Sequence, residues 1–177
     1  MKRRNLVLGL VAAGATAPLL IRALPGTALA HPAEPGGKED DVDMTLEDWK
    51  RLLPEDRYRI LFREKTEPAW SSGLNDEKRD GTYICAACYQ PLFSSDHKFD
   101  SGTGWPSFYR PISDDAVGTK RDFKLIWPRT EYHCSRCEGH QGHVFDDGPE
   151  PTGQRWCNNG LALEFVPRGE DLPDLRG

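Results

Sequence analysis

The pattern of apolar positions changes near residue 80, and it predicts a short helical section followed by strands. Thr45 is a residue type that caps helix N-termini, and Asp48 follows three residues later. Apolar residues then recur at helical spacing on both sides of Pro54, which interrupts the pattern. They are Leu46, Trp49, Leu52 and Leu53 before the proline, and Tyr58, Ile60, Leu61 and Phe62 after it. Two short helices are therefore expected between about residues 45 and 65.

Beyond residue 80, short apolar segments alternate with turns rich in Gly, Pro, Asp and Asn. The segments are GTYICAAC, PLFSSDHKF, WPSFYRPI, KLIWPRTEYHC, GHVFDDG and QRWCNNGLALEFVP. They fit β-strands of about four to eight residues each. The sequence therefore predicts a mainly β fold, with an antiparallel core that follows the short N-terminal helical section.

The first 30 residues have the three-part pattern of an export signal. MKRRN is basic, LVLGLVAAGATAPLLIRAL is apolar, and the ALA tripeptide at 28–30 is a small-residue cleavage site. Pro18 and Arg22 interrupt the apolar stretch, which argues against a permanent membrane span of about 20 residues. The arginine pair at 3–4 favours a twin-arginine signal, with the general export route as the alternative. We therefore expect an exported protein, located in a bacterial periplasm.

Composition divides the chain further and excludes one class of partner. Residues 31–44, rich in Pro, Gly and acids, are expected to form a flexible lead-in to one domain over residues 45–170. Four of the 23 Lys and Arg residues lie in 1–30, so the rest of the chain has 19 basic and 28 acidic residues, a net charge of −9. Because no basic stripe is present, the charge argues against a nucleic-acid partner.

Four of the five cysteines are arranged as two Cys-x-x-Cys pairs, Cys85 with Cys88 and Cys134 with Cys137. Two intervening residues allow a turn to present two thiolates to one metal ion. Four thiolates complete a tetrahedral Zn²⁺ shell, so that such a site is closed and structural. The spacing therefore predicts one structural zinc per chain, which staples two parts of the β domain together.

Two other interpretations of these cysteines remain open at the level of sequence. In an oxidising compartment the thiols can form disulfides within or between the pairs. A local set of Cys134, Cys137, His140 and His143 also has short, metal-compatible spacings. That set would leave the first cysteine pair without a role, which favours the four-cysteine site.

Cys157 is not part of a Cys-x-x-Cys pair, and the residues near it in the sequence indicate a catalytic role. If the segment is a strand, Arg155 and Asn159 lie on the same face as Cys157. A nearby cation favours the thiolate, which is the nucleophilic form of cysteine. His140 and His143 are imidazoles capable of proton transfer near neutral pH. The competing interpretation is that Cys157 is only a small hydrophobic residue packed in the core.

Two long segments carry a resemblance to a known family. CAACYQPLFSSDHKFDSGTGWPSF and RTEYHCSRCEGHQGHVFDDGPEPTGQRWCNN resemble the B-type peptide-methionine sulfoxide reductases, over about residues 45–167. The resemblance implies a fold of two antiparallel sheets with structural zinc held by the two cysteine pairs. It also implies an oxidoreductase that repairs oxidised proteins under oxidative stress by reducing the R epimer of methionine sulfoxide in peptides and proteins.

Residue by residue, the resemblance assigns roles within these motifs. The nucleophile falls on Cys157, the active-site histidines on His140 and His143, the asparagine on Asn159, and the pocket tryptophan on Trp105. The implied reaction begins with attack of the Cys157 thiolate on the sulfoxide sulfur, while His143, assisted by His140, protonates the oxygen. Methionine leaves, and Cys157 becomes a sulfenic acid. Trp105 is expected to hold the S-methyl group.

Three further residues are candidates with less defined roles. Arg155, beside the nucleophile, and Asp147, in the substrate region, both match motif positions of the family. Trp70 is a candidate aromatic wall for the substrate, with a buried core tryptophan as the alternative interpretation.

The chain also departs from the family pattern. Many members have a second, resolving cysteine where this chain has Thr103 in SGTGWPSF. We therefore expect an external thiol, such as a thioredoxin-like protein, to reduce the sulfenic acid. Further departures are Gln141, Trp156, Asn158 and Gly160, of which Trp156 and Asn158 are expected to point away from the face of Cys157.

Two alternative functions belong to other classes. One is a zinc-stapled binding module in which Cys157 and the histidines only pack. The other is a different periplasmic thiol enzyme, either a thiol peroxidase or a disulfide exchanger. Disulfide exchange normally uses a paired active-site thiol, which Cys157 lacks.

Overall fold

Two short helices begin the part of the chain that the structure describes. The structure is a computed structural model, and it describes residues 42–123 and 128–177. The helices are α1 (Leu46–Leu52) and α2 (Glu55–Arg63). The Thr45 side chain accepts a hydrogen bond from the Asp48 amide, and the Asp48 side chain accepts one from the Thr45 amide. The predicted N-cap and the two predicted helices are confirmed.

Within the described residues, nine strands form two antiparallel sheets. The strands are β1 (Gly81–Cys85), β2 (Pro91–Ser94), β3 (Lys98–Phe99), β4 (Ser107–Phe108), β5 (Val117–Asp122), β6 (Arg129–Cys134), β7 (His140–Phe145), β8 (Arg155–Asn158) and β9 (Leu163–Pro167). One sheet has the order β2-β1-β9, and the other has the order β3-β4-β8-β7-β6-β5. Every pairing between these strands is antiparallel, which confirms the predicted fold class.

Aromatic side chains fill the core between the two sheets. Tyr83 and Phe93, from the small sheet, lie with their ring centroids 4.9 and 4.3 Å from that of Phe108 in the large sheet. Tyr132 and Trp156 extend this cluster across the large sheet, with their centroids 4.9 Å apart. All five residues are buried. Because side chains alternate along a strand, the opposite face of the large sheet is available for polar residues.

The strand predictions need two corrections. The charged segment VGTKRD was not predicted as a strand, yet it forms β5 at the edge of the large sheet. An edge strand is half solvated, so its sequence lacks an apolar signal. The segment QRWCNNGLALEFVP divides into β8, a short 3₁₀ turn and β9, which lie in different sheets.

The predicted export signal over residues 1–30 and most of the lead-in lie outside the described residues, as do residues 124–127 of the KLIWPRTEYHC segment. Within the ranges described, no helix has the length and apolar character needed to cross a membrane.

Candidate active site and metal centre

Four buried cysteines form a cluster that joins the two sheets. Their sulfur atoms all lie within 4.8 Å of one another. The Cys85 and Cys137 sulfurs are 3.6 Å apart, and those of Cys88 and Cys134 are 3.5 Å apart. These distances exclude disulfides, whose sulfurs lie about 2.05 Å apart, and they are close to the separation of about 3.8 Å around a tetrahedral Zn²⁺ with 2.3 Å bonds. The cluster therefore fits a four-coordinate metal ion with a closed shell.

The two cysteine pairs are presented by the same kind of turn. The amide of Tyr89 donates to the Cys85 carbonyl at 2.9 Å, and the amide of Glu138 donates to the Cys134 carbonyl at 3.0 Å. Tyr89 and Glu138, which follow the second cysteine of each pair, both have a left-handed backbone, with φ of 67° and 58°. The duplicated spacing in the sequence therefore corresponds to a duplicated turn.

Cys157 lies in the middle of β8, at a small cavity in the polar face of the large sheet. Its Cα partners are Ser107 on β4 and His143 on β7. The cavity has a volume of about 110 Å³ and is lined by Thr66, Trp105, Arg129, Gly142, His143, Phe145, Cys157, Asn158 and Asn159. This is roughly four times the volume that one water occupies in the liquid. The cavity can therefore take the end of one side chain against the Cys157 thiol.

A β-bulge in β7 brings the two histidines to the same face. Tyr132 of β6 pairs with Gly142, but its neighbour His133 pairs with His140, which leaves Gln141 as an extra residue. Without the bulge, His140 and His143 would point to opposite faces, since they are three residues apart. With it, their ring centroids lie 5.5 Å apart.

His143 is held by a carboxylate from the edge strand. Its Nε2 lies 2.9 Å from Oδ2 of Asp122, which also accepts a hydrogen bond from Arg129 Nη2 at 2.7 Å. An ionised carboxylate only accepts, so Nε2 carries the proton and Nδ1 is the acceptor. Burial lowers the pKa of His143 and outweighs the opposite effect of the Asp122 hydrogen bond. The imidazole is therefore neutral at neutral pH and able to take a proton.

His140 belongs to a second cluster of polar side chains, next to His143, which also contains Glu131 and Lys120. Its Nδ1 is 3.0 Å from Glu131 Oε1, and Lys120 Nζ is 3.2 Å from the same oxygen. His140 and Glu131 are both almost completely buried. Burial raises the pKa of Glu131, but the contacts with His140 and Lys120 outweigh it and leave that pKa below its usual value. His140 does not line the cavity, so its position fits support of His143 rather than contact with a substrate.

Arg155 lies on the same face as Cys157 and is fixed by two contacts. Its Nε and Nη2 donate to the two carboxylate oxygens of Asp147 at 2.8 and 2.9 Å, and its guanidinium carbon lies 4.3 Å from the ring centroid of Phe145. Burial nevertheless raises the pKa of Cys157, and Arg155 and Thr103 offset only part of that effect. The thiol is therefore protonated before substrate enters, contrary to the expectation from Arg155 alone.

Trp105 and Asn159 form two walls of the cavity. The Trp105 indole Nε1 donates to the Glu67 carbonyl at 3.1 Å. The Asn159 side chain accepts from the Glu67 amide at 3.1 Å and donates to the Gln141 carbonyl at 2.9 Å. Both side chains are thus fixed by the backbone of neighbouring segments.

Two candidate substrate residues lie outside the cavity lining. Asp147 is exposed and contacts Arg155, so it orients a residue beside the nucleophile. Trp70 is not a core residue, since 67% of its surface is exposed. Its amide donates to the Gly104 carbonyl at 2.7 Å, which places it next to the loop that carries Trp105.

Comparison with known proteins identifies the family of the chain. A family model described as the SelR domain matches residues 53–167. The chain belongs to this family. The protein named "Peptide methionine sulfoxide reductase MsrB" in Leptospira interrogans is 50% identical over 125 residues, which are 71% of this chain and 95% of that protein. Proteins of the same name in Methanosarcina mazei and Pseudomonas putida are 50% and 49% identical, covering 72% of this chain in each case and 91% and 96% of the relatives.

The SelR family membership confirms the predicted resemblance to B-type methionine sulfoxide reductases. Among solved structures, the Mis18 "Yippee-like" domain aligns with a TM-score of 0.40 and 17% identity, over 52% of this chain and 100% of that chain. This likeness is too distant to inform the site.

Three of the residues that depart from the expected family pattern, Gln141, Trp156 and Asn158, form a connected buried group. Asn158 accepts from the Tyr132 hydroxyl at 2.6 Å and donates to Gln141 at 3.3 Å. Gln141 donates in turn to the Cys85 sulfur at 3.5 Å. Trp156 packs on Tyr132. As predicted, Trp156 and Asn158 lie on the face of β8 opposite to Cys157, and the polar substitutions satisfy one another.

Several residues that complete the site were not predicted from the sequence. The carboxylates and the cation around the histidines are Asp122, Glu131 and Arg129. In RTEYHC, Arg129 and Glu131 are two residues apart and therefore lie on the same face of a strand. This spacing could have predicted a polar face of the sheet. Asp122 had no such signal, because it is 21 residues from His143 and reaches it only through strand pairing.

We expect the substitution Asp122→Asn to weaken proton transfer by His143. The Asp122 hydrogen bond raises the pKa of His143, so its loss lowers that pKa further. The acid limb of the pH profile of kcat/KM for sulfoxide reduction then moves to lower pH, and kcat/KM at pH 7 falls by about 10²-fold because the base is weaker.

The matched control is Asp96→Asn, which removes an exposed carboxylate that pairs with Arg168. It should leave the pH profile unchanged. An unchanged acid limb in Asp122→Asn, or a shift to higher pH, would show that Asp122 does not set the protonation of His143.

Proposed function

We propose that the protein reduces the R epimer of methionine sulfoxide in peptides and proteins to methionine, with Cys157 as the nucleophile. The observation that carries this proposal is the pairing of Cys157 with His143 across β8 and β7, beside a cavity walled by Trp105. Residues directly opposite on antiparallel strands have Cβ atoms about 4.5–5.5 Å apart. A sulfoxide group in the cavity thus meets a thiol and an imidazole together.

The protonation states of Cys157 and His143 favour proton transfer through the His143 imidazole. Burial raises the pKa of Cys157 and lowers that of His143, so a neutral thiol faces a neutral imidazole. His143 Nδ1 takes the thiol proton and delivers it to the sulfoxide oxygen, while Asp122 stabilises the transient imidazolium. Arg155 stabilises the transient thiolate, and His140 supports the imidazole of His143.

The chemical step is a two-electron transfer from sulfur to sulfur. The Cys157 sulfur attacks the sulfoxide sulfur and forms a sulfur–sulfur bond as the oxygen is protonated. The hydroxyl group then moves to Cys157 while the substrate's sulfur–oxygen bond and the sulfur–sulfur bond break, which leaves a sulfenic acid on Cys157 and releases methionine. Methionine sulfoxide is thereby reduced to methionine and Cys157 is oxidised, with no net proton gained or lost. The Trp105 ring receives the S-methyl group, and Asn159 bounds the other side of the cavity. Only one epimer then places its oxygen near His143.

An external thiol completes the cycle. The chain has five cysteines, and the four besides Cys157 form the cluster that could hold a metal ion. Thr103 occupies the position of the resolving cysteine found in many family members. A thiol of a thioredoxin-like or other reductant therefore attacks the sulfenic acid directly, which releases water and forms a mixed disulfide with Cys157. A second thiol of the reductant then attacks the mixed disulfide, which restores the Cys157 thiol and leaves the reductant as a disulfide.

Structural zinc and export belong to the same proposal. One Zn²⁺ held by Cys85, Cys88, Cys134 and Cys137 would have a closed shell, so that it contributes stability rather than catalysis. The N-terminal pattern over residues 1–30 supports delivery to the periplasm by the twin-arginine route. Fusions of residues 1–30 to a reporter, in cells that lack each export system, distinguish this route from the general one.

The reaction is tested with purified protein, dithiothreitol and each epimer of a blocked methionine sulfoxide. We expect turnover of the R epimer only. After a single turnover without reductant, a sulfenic-acid probe should label Cys157 in mass spectrometry. Turnover of the S epimer at a similar rate, or a disulfide between Cys157 and a cluster cysteine in the active enzyme, would contradict the proposal.

A further inference from the structure

Glu67 is a buried carboxylate for which the proposed reaction has no role. It is 3% exposed and lies in the segment after α2. Its Oε1 accepts from the Gly160 amide at 2.6 Å, and its Oε2 accepts from the Leu161 amide at 2.9 Å. Burial of a carboxylate is costly unless hydrogen bonds compensate it. The carboxylate therefore ties the helical section to the turn that follows β8.

The backbone of the same residue holds both walls of the cavity. The Glu67 carbonyl accepts from the Trp105 indole at 3.1 Å, and the Glu67 amide donates to the Asn159 side chain at 3.1 Å. The preceding residue, Thr66, lines the cavity itself. One residue thus joins the Trp105 loop, the Asn159 turn and the helical section.

We propose that Glu67 is a positioning residue that sets the width of the substrate cavity. Its carboxylate anchors the segment to the Gly160–Leu161 turn, and this anchor fixes the amide and carbonyl that hold Asn159 and Trp105. The proposal rests on the proposed function only in that the cavity binds a methionine sulfoxide. Loss of the carboxylate loosens both walls, while Cys157, His143 and Asp122 keep their strand positions.

Gly160 provides the space that this anchor needs. A Cβ at Gly160 would lie 1.9 Å from the Ser72 hydroxyl oxygen and 3.2 Å from Glu67 Oε1. Ser72 is itself fixed, since its hydroxyl accepts from the Leu74 amide at 3.1 Å. Ser72 and Gly160 are therefore a matched pair. A Cβ at residue 160 collides with the Ser72 side chain and crowds the Glu67 carboxylate, and a smaller residue at position 72 removes the main collision.

The first test is Glu67→Gln, which keeps the shape but places an amide N–H₂ against a backbone N–H donor. We expect KM for a blocked R-methionine sulfoxide to rise at least tenfold, with kcat within threefold of the parent. The indole N–H resonance of Trp105, assigned through Trp105→Phe, should also shift in ¹H–¹⁵N spectra. Glu164→Gln, which removes a half-exposed carboxylate paired with Arg57, should change neither quantity.

The second test does not touch the carboxylate. Gly160→Ala should raise KM as Glu67→Gln does, and Gly160→Ala combined with Ser72→Gly should recover at least half of that increase. An unshifted Trp105 resonance with KM within twofold of the parent in Glu67→Gln would overturn the proposal, as would failure of the Ser72→Gly rescue. The resonance reports the Glu67 contact even if the parent protein reduces neither epimer, so the two proposals fail separately.

Discussion

Cys157→Ser should abolish sulfoxide reduction, with kcat/KM falling by at least about 10³-fold. A serine hydroxyl is a far weaker nucleophile than a thiol, and it has no accessible counterpart of the sulfenic acid. The change removes no metal ligand, because Cys157 lies on β8 and outside the four-cysteine cluster. The rate of R-epimer reduction with dithiothreitol measures the effect.

Two measurements separate loss of chemistry from loss of fold. The urea midpoint and the metal content of Cys157→Ser should match those of the parent protein, since serine has nearly the same size and the site is only partly buried. Retention of more than about 1% of the parent rate would remove Cys157 from the mechanism. It would show that a group other than the Cys157 thiol carries out the reduction.

Loss of one cluster cysteine should unfold the protein or leave it only marginally stable. Cys134→Ser breaks a four-thiolate shell, and structural Zn²⁺ contributes about 10–16 kcal/mol of apparent binding free energy in zinc-finger peptides. Whole domains are stable by only about 5–15 kcal/mol, so we expect the free energy of unfolding to fall by at least about 4 kcal/mol. The urea denaturation curve and the metal content by mass spectrometry measure the effect.

The position of the cluster explains why the effect should be global. Cys85 ends a strand of the small sheet, and Cys134 ends a strand of the large sheet. A metal ion held by the four cysteines would thus staple the two sheets on either side of the aromatic core. Cys157→Ser is the matched control, as a cysteine substitution outside the cluster that should retain metal and stability. A parent protein that binds no metal, or a Cys134→Ser variant with parental stability, would contradict the structural role.

Much of the fold was predictable because its signals are local. The capping residue Thr45 and the apolar positions around Pro54 determine two helices from adjacent residues. The duplicated Cys-x-x-Cys spacing likewise determines two similar turns, since each turn closes within six residues. β5 escaped prediction because VGTKRD is an edge strand, whose pairing partner and not its own composition makes it a strand.

The site was predictable only in part: arrangements of residues that are close in sequence could be predicted, and contacts between distant residues could not. Cys157 and its neighbour Arg155 lie on one face because side chains alternate along any strand, and the sequence alone determines this. The sequence also determines that four thiols besides Cys157 are available for a metal and that no further thiol is present in the chain.

Only the tertiary structure decided which groups reach the thiol. A bulge at Gln141 turns His140 and His143 to the same face, and no local pattern announces an unpaired residue in a strand. Asp122 contacts His143 only because β5 and β7 both flank β6, and Glu67 reaches Asn159 across 92 residues of sequence. Strand order and register are set by packing across the whole domain, which is why these contacts could not be predicted from the residues themselves.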